Sequence, residues 1–156
     1  MMKKYRVYAF LIFLVMIMTS CSSANSDDEG PENQEPINQV GDFQVEIFSE
    51  DSEETDTPEI YATITYLGNQ SEIEVLHSEV LIYFILYSEG KVLFPSSLAN
   101  IGINTTLLKN EPLKIQYSDE ELDQLDPGTY EIGAVASFLL DETDYRIPVS
   151  TKIVIE

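Results

Sequence analysis

Cysteine and histidine occur once each in this chain of 156 residues, and tryptophan does not occur at all. A single cysteine excludes an intramolecular disulfide, so stability must come from a hydrophobic core. A chain of this length can bury one such core in one domain. The missing tryptophan excludes the Cys–Trp–Cys core of antibody domains. The lone histidine, His77, cannot supply a His-rich metal site or a catalytic triad. It lies in phase with Ile73 and Val75, which makes it an ordinary strand residue. Basic residues are scarce too: 8 Lys and Arg stand against 28 Asp and Glu, a formal charge of −20. Phosphate binding needs a basic patch, so nucleic acid is excluded as a partner, and so is electrostatic docking on anionic lipid. Charge of this size favours a soluble monomer, at some cost in self-repulsion. No Gly-x-Ser-x-Gly, P-loop or dinucleotide fingerprint is present. The expectation is therefore a protein without catalytic residues, metal site or cofactor.

The cationic residues that do occur are unevenly placed. Lys3, Lys4 and Arg6 precede Val7–Met18, which is apolar apart from the hydroxyl of Tyr8, and Thr19-Ser20 lead to Cys21. A basic start, a short apolar run and small residues before a cut are the parts of a secretory signal. The run is shorter than the roughly 20 residues that span a bilayer. Met18-Thr19-Ser20-Cys21 resembles the lipobox of bacterial lipoproteins. That resemblance implies that residues 1–20 are removed and that the Cys21 thiol carries a diacylglycerol, with fatty chains such as palmitate. Two acyl chains anchor stably at about 0.8 kcal/mol per buried methylene, where one binds marginally. Ser22, with no Asp after the cysteine, resembles lipoproteins that are not retained at an inner membrane. The implied location is the extracytoplasmic face of the cell membrane, or the outer membrane of a Gram-negative host. All 28 acidic residues follow the leader, so residues 21–156 carry −23.

Residues 21–41 read as a disordered acidic tether. Ser22–Gly41 holds five acidic residues, Pro31, Pro36 and Gly30, with only Ala24, Ile37 and Val40 to offer a core. As a flexible coil it has an end-to-end distance of about 25 Å. From residue 42 to 156 the period is two. Phe43, Val45 and Ile47 alternate with polar residues, as do Ile60, Ala62, Ile64 and Tyr66. Ile73 and Val75 continue the pattern, then Leu113, Ile115 and Tyr117. Val80–Tyr87 is continuously apolar, closes at Ser88-Glu89-Gly90 and is answered by Lys91–Phe94. Ile132, Ala134, Ala136, Phe138 and Leu140 share one parity, as do Ile147, Val149, Thr151, Ile153 and Ile155. Such segments predict an all-β antiparallel sandwich of seven to eight strands. Pro148 is placed near the start of its strand, where a missing N–H is tolerated. Only Ser118–Leu125 has helical character, with Ser118 and Glu121 spaced as a capping box. It predicts a short helix before the penultimate strand. Pro95–Asn110 is the longest poorly patterned stretch, though Leu98, Ile101, Ile103, Leu107 and Leu108 argue that it packs down or adds a short strand.

Leu125-Asp126-Pro127-Gly128-Thr129-Tyr130 resembles the entry to the penultimate strand of bacterial immunoglobulin-like and fibronectin-type sandwiches. Pro127 and Gly128 fit the centre of a type II turn, with φ > 0 at the glycine. Tyr130 then fits a tyrosine corner, its hydroxyl bonding backbone. Residues 60–140 also resemble the bacterial intracellular proteinase inhibitor domain, which implies a fold and a loop-presenting inhibitor.

Val80–Tyr87 carries the candidate binding surface. A sandwich strand buries one face. With Val80, Ile82, Phe84 and Leu86 inward, Leu81, Tyr83, Ile85 and Tyr87 form an outward stripe, or the Pro95–Asn110 segment covers it. Exposed apolar stripes with tyrosines mark interaction sites. Gly133 and Ser137 alongside leave a shallow groove. The acidic groups Glu50, Asp51, Glu53, Glu54 and Asp56, and Asp119, Glu120, Glu121, Asp123 and Asp126, lack a calcium-loop spacing and read as solvated surface. The function expected is a non-catalytic binding or accessory module for an envelope or extracellular protein. The alternative is a protease inhibitor presenting a loop such as Pro95–Asn110.

Overall fold

The structure, a computed structural model, describes residues 36–50, 58–93 and 101–155. The leader, Cys21 and most of the tether lie outside the described residues. Among the described residues ten strands follow in order: β1 (Ile37–Val40), β2 (Phe43–Glu50), β3 (Glu59–Tyr66), β4 (Glu72–His77), β5 (Ile82–Ser88), β6 (Lys91–Val92), β7 (Ile103–Leu108), β8 (Leu113–Gln116), β9 (Gly128–Leu140) and β10 (Thr143–Ile155). One short helix, α1 (Asp119–Leu122), precedes β9. The strands form two antiparallel sheets. Sheet A has the order β1-β2-β3-β8, and sheet B the order β6-β5-β9-β4-β7, with β10 on the other side of β9.

The period-two pattern builds this layout directly. Phe43, Val45 and Ile47 of β2 and Ile60, Ala62, Ile64 and Tyr66 of β3 face Ile132, Ala134, Ala136 and Phe138 of β9 and Ile147, Val149, Ile153 and Ile155 of β10. All of these are buried in one cluster, and each large apolar side chain contributes about 1.5–3 kcal/mol on full burial. Phe43 is the aromatic centre. Its ring meets Phe138 at 4.8 Å, Tyr145 at 5.2 Å and Tyr66 at 5.6 Å between centroids. Edge and tilted pairs of this kind add about 0.5–1.5 kcal/mol beyond area burial. Gly68 backs the Tyr66 ring so closely that a Cβ there would overlap it.

Several placements differ from the sequence reading. Residues 37–40, assigned to the tether, pair with β2 from Ile37↔Glu46 to Val40↔Phe43. Ile37 and Val40 remain exposed, so β1 is held by ladder bonds and gives no core signal. Pro95–Asn110, expected to pack down or add a short strand, does contain one: β7 pairs with β4 from Ile103↔His77 to Leu108↔Glu72. Pro148 is not near the start of its strand, since β10 begins at Thr143. Leu140 and Thr143 flank a two-residue hairpin, Asp141-Glu142, with φ of 47° and 66°. That hairpin fixes which β10 residues bond to β9 and turns the backbone of Asp144, Arg146 and Pro148 outward. The proline therefore removes no ladder bond, and its carbonyl accepts from the Asn38 Nδ2 of β1 at 2.9 Å.

Candidate functional site

The outer face of sheet B is set by the register of β5, β9 and β10. Tyr83 lies opposite Val135, Ile85 opposite Gly133 and Tyr87 opposite Glu131. Beyond β9, Arg146 faces Ser137, Pro148 faces Val135 and Lys152 faces Glu131. Tyr83, Ile85 and Tyr87 are half-buried, and Arg146 and Lys152 are exposed. Leu81 does not belong to this stripe. It sits in a bend before β5, is 4% exposed and joins the core. Alternation applies only inside a strand, and the bend turns Leu81 inward while Ile82 is also buried. The Leu81 carbonyl accepts from the Ser137 N–H at 3.0 Å, which joins the bend to β9.

The groove expected at Gly133 is occupied. A Cβ on Gly133 would lie 3.7 Å from a ring carbon of Tyr87, so the missing side chain makes room for that ring. Five consecutive β9 residues, 132–136, are buried, which means both faces of the strand are covered at its centre. Ser150, buried beside Gly133, donates to Glu131 Oε1 at 2.9 Å. The stripe is thus a tyrosine and aliphatic layer resting on β9.

Two large aliphatics, Leu76 and Leu139, went unnoticed in the sequence. Leu76, Ile101 and Leu139 are 41%, 54% and 43% exposed and surround a hollow of about 270 Å³ that Ser137 and Asp144 also line. Leu76 pairs with Leu139 directly. The available signal was phase: both leucines sit at the outward parity of otherwise inward-facing strands.

The segment before β9 also differs from expectation. Gly128 does not have a positive φ, since Gly41 and Gly90 are the glycines in that region among the described residues. A type II turn centred on Pro127-Gly128 is therefore not formed. The chain reverses earlier, where Gln124 N–H donates to Glu121 and Leu125 N–H to Leu122, and Gly128 enters β9 paired with Ile155. Tyr130 packs against the core, and its hydroxyl donates to the Asp126 carbonyl at 2.8 Å. Pro127 lies in the bend between them.

His77 is 8% exposed and uses both ring nitrogens. Nδ1 lies 2.8 Å from the Ser78 carbonyl and Nε2 lies 2.8 Å from Thr105 Oγ1. A carbonyl only accepts, so Nδ1 donates to it, and Nε2 shares a hydrogen bond with the Thr105 hydroxyl. On sheet A, Phe48 and Tyr61 stack at 4.8 Å, and Lys114 Nζ sits 3.7 Å over the other side of the Tyr61 ring. Lys114 also pairs with Glu59 at 2.7 Å. The hydrogen bond from Tyr61 to Glu50, with some desolvation and the charges of Glu50 and Glu59, raises the phenol pKa. Tyr117 donates to Glu121, and burial first, then this bond and the Glu121 charge, push its pKa well above the usual tyrosine value.

No group of three or more His, Cys, Asp or Glu side chains converges to hold a metal among the described residues. No described helix is long and apolar enough to cross a membrane. No protein-family model matches the chain, and no curated protein matches it. What the geometry presents is a two-sheet β protein with tyrosines on both outer faces, Tyr83 and Tyr87 on sheet B and Tyr61 on sheet A.

Proposed function

We propose that the chain is an extracytoplasmic lipoprotein, anchored through diacylglycerol on Cys21, whose immunoglobulin-like sandwich is a non-catalytic binding module of the cell envelope. The leader and Met18–Cys21 support the anchor. The two antiparallel sheets and the Tyr130 hydroxyl bonded to Asp126 support the immunoglobulin-like assignment. The observation that carries the binding reading is the row Tyr83, Ile85 and Tyr87 on the outer face of sheet B, half-buried and flanked by exposed Arg146 and Lys152. Tyrosine and arginine are the residue types enriched where partners dock. A monomer with −23 of charge keeps this face free of self-association.

The test uses Tyr83→Ser, because Tyr87 also fills the space over Gly133. The variant is expected to fold with a denaturation midpoint close to wild type and to lose the protein that wild type captures from envelope extract. Unchanged capture by the folded variant removes this face from the reading. The alternative is protease inhibition through a presented loop, and there Tyr83→Ser leaves inhibition intact. Part of the candidate loop, Ile103–Leu108, is strand β7, and residues 95–100 lie outside the described residues.

A further inference from the structure

The open strand edges of this protein are unequally protected. Edge strands expose unpaired N–H and C=O groups, and proteins guard them with charge, proline or shortness. β10 turns outward the backbone of Asp144, Arg146, Pro148 and Lys152, three charges and a proline whose carbonyl is already taken by Asn38. β6 has two residues, and β8 has four, one of them Lys114. β7 has six residues, Ile103-Asn104-Thr105-Thr106-Leu107-Leu108, with no charge and no proline, in a chain that is 23% charged.

β7 pairs with β4 alone within sheet B. Lys109 N–H donates to the Ser71 carbonyl at 2.9 Å, so the bonded pairs run 109/71, 107/73, 105/75 and 103/77. The backbone N–H and C=O of Asn104 and Thr106 therefore point away from the sheet. Both residues are exposed, and these groups have no backbone partner among the described residues. The Leu108 carbonyl, which also faces outward, accepts from Glu111 N–H at 3.2 Å and closes the edge at that end. Ile103 and Leu108, 38% and 42% exposed, flank the opening.

The surface beside this opening is acidic. Glu74 lies opposite Thr106 and Glu72 opposite Leu108. With Asp141 they line an open hollow of about 520 Å³ that reaches Thr106. We propose that β7 accepts an extended, lysine- or arginine-bearing segment of a partner protein as an added strand. Its backbone bonds to Asn104 and Thr106, and its long basic side chains lie over β7 toward Glu72, Glu74 and Asp141. Main-chain bonds supply affinity in this mode and the alternate side chains supply specificity. A second copy of this chain is the wrong occupant, because the same charge of −23 and a second set of Glu72 and Glu74 oppose it. The surface is separate from the Tyr83 row, so either can fail without the other.

The probe is a synthetic decapeptide alternating valine and lysine, with its valine–glutamate counterpart as control, added to the mature protein. The basic peptide is expected to bind, the acidic one not to, and amide exchange is expected to slow at Asn104 and Thr106. Thr106→Pro changes no charge and removes an N–H that faces outward, so the fold survives while binding weakens about tenfold. Glu72→Gln with Glu74→Gln weakens it roughly fivefold and flattens its salt dependence. Wild-type affinity in a folded Thr106→Pro variant overturns the proposal, since a chain this acidic then attracts the peptide by charge alone. Protection at a different strand, no binding, or self-association through β7 also overturns it. If Thr106→Pro fails to fold, the exchange pattern of the wild type decides.

Discussion

Two glycines, Gly68 and Gly128, have opposite structural weight. Gly68 backs the buried Tyr66 ring, and an added methyl has no room. Gly68→Ala is expected to lower stability by about 1–3 kcal/mol through overpacking. Gly128 has an ordinary strand φ, and a Cβ there meets Tyr130 at 3.6 Å, a normal contact. Gly128→Val is expected to stay within about 0.5 kcal/mol of wild type. Denaturant midpoints of the two variants check both expectations, and equal losses contradict them. Tyr117 gives a pH dependence. Its pKa is raised in the folded state from the ordinary value of 10.0. As pH rises above about 10, the unfolded chain releases this proton while the folded chain keeps it, so stability falls. Below that pH the contribution is fully present. Tyr117→Phe removes the effect, and its stability is expected to decline less than wild type between about pH 9 and about pH 11. An equal decline contradicts the assignment.

The β9–β10 hairpin orders much of sheet B, and its turn is built from unfavourable residues. Asp141 and Glu142 both adopt positive φ, where glycine and asparagine are preferred. Glu142→Gly is expected to raise stability by about 0.5–1 kcal/mol by removing that strain. A lower midpoint contradicts the turn geometry. The long strands were legible because their inward side chains repeat every second residue: Phe43, Val45 and Ile47, or Ile132, Ala134 and Ala136. β1 was not legible, because Ile37 and Val40 are exposed and the strand is held by backbone bonds that carry no side-chain signature. β7 was legible only in part: Ile103, Leu107 and Leu108 argue for packing or a short strand, but Leu107 is its one buried residue. Leu81 was misassigned because strand parity was carried one residue past the start of β5. The groove at Gly133 was misread because sequence shows a missing side chain and not the Tyr87 ring that takes its place.

For the whole molecule, charge and anchor belong together. Residues 21–156, with −23 of formal charge, have no electrostatic attraction to an anionic membrane, so covalent lipid is what would hold them there. The strong acidity leaves few cations, and Arg146 and Lys152 both lie on the face that carries Tyr83, Ile85 and Tyr87. On that face Arg146 and Lys152 offset Asp144 and Glu131, which lowers the repulsion the proposed binding face would exert on an acidic partner. The measurement that tests the central claim most directly is the intact mass of the protein extracted from membranes of an expressing bacterium. The account predicts a chain beginning at Cys21 and carrying a diacylglycerol, and a Cys21→Ala variant that is released or left unprocessed. A membrane-bound chain with unmodified Cys21, or normal processing and retention of Cys21→Ala, contradicts it.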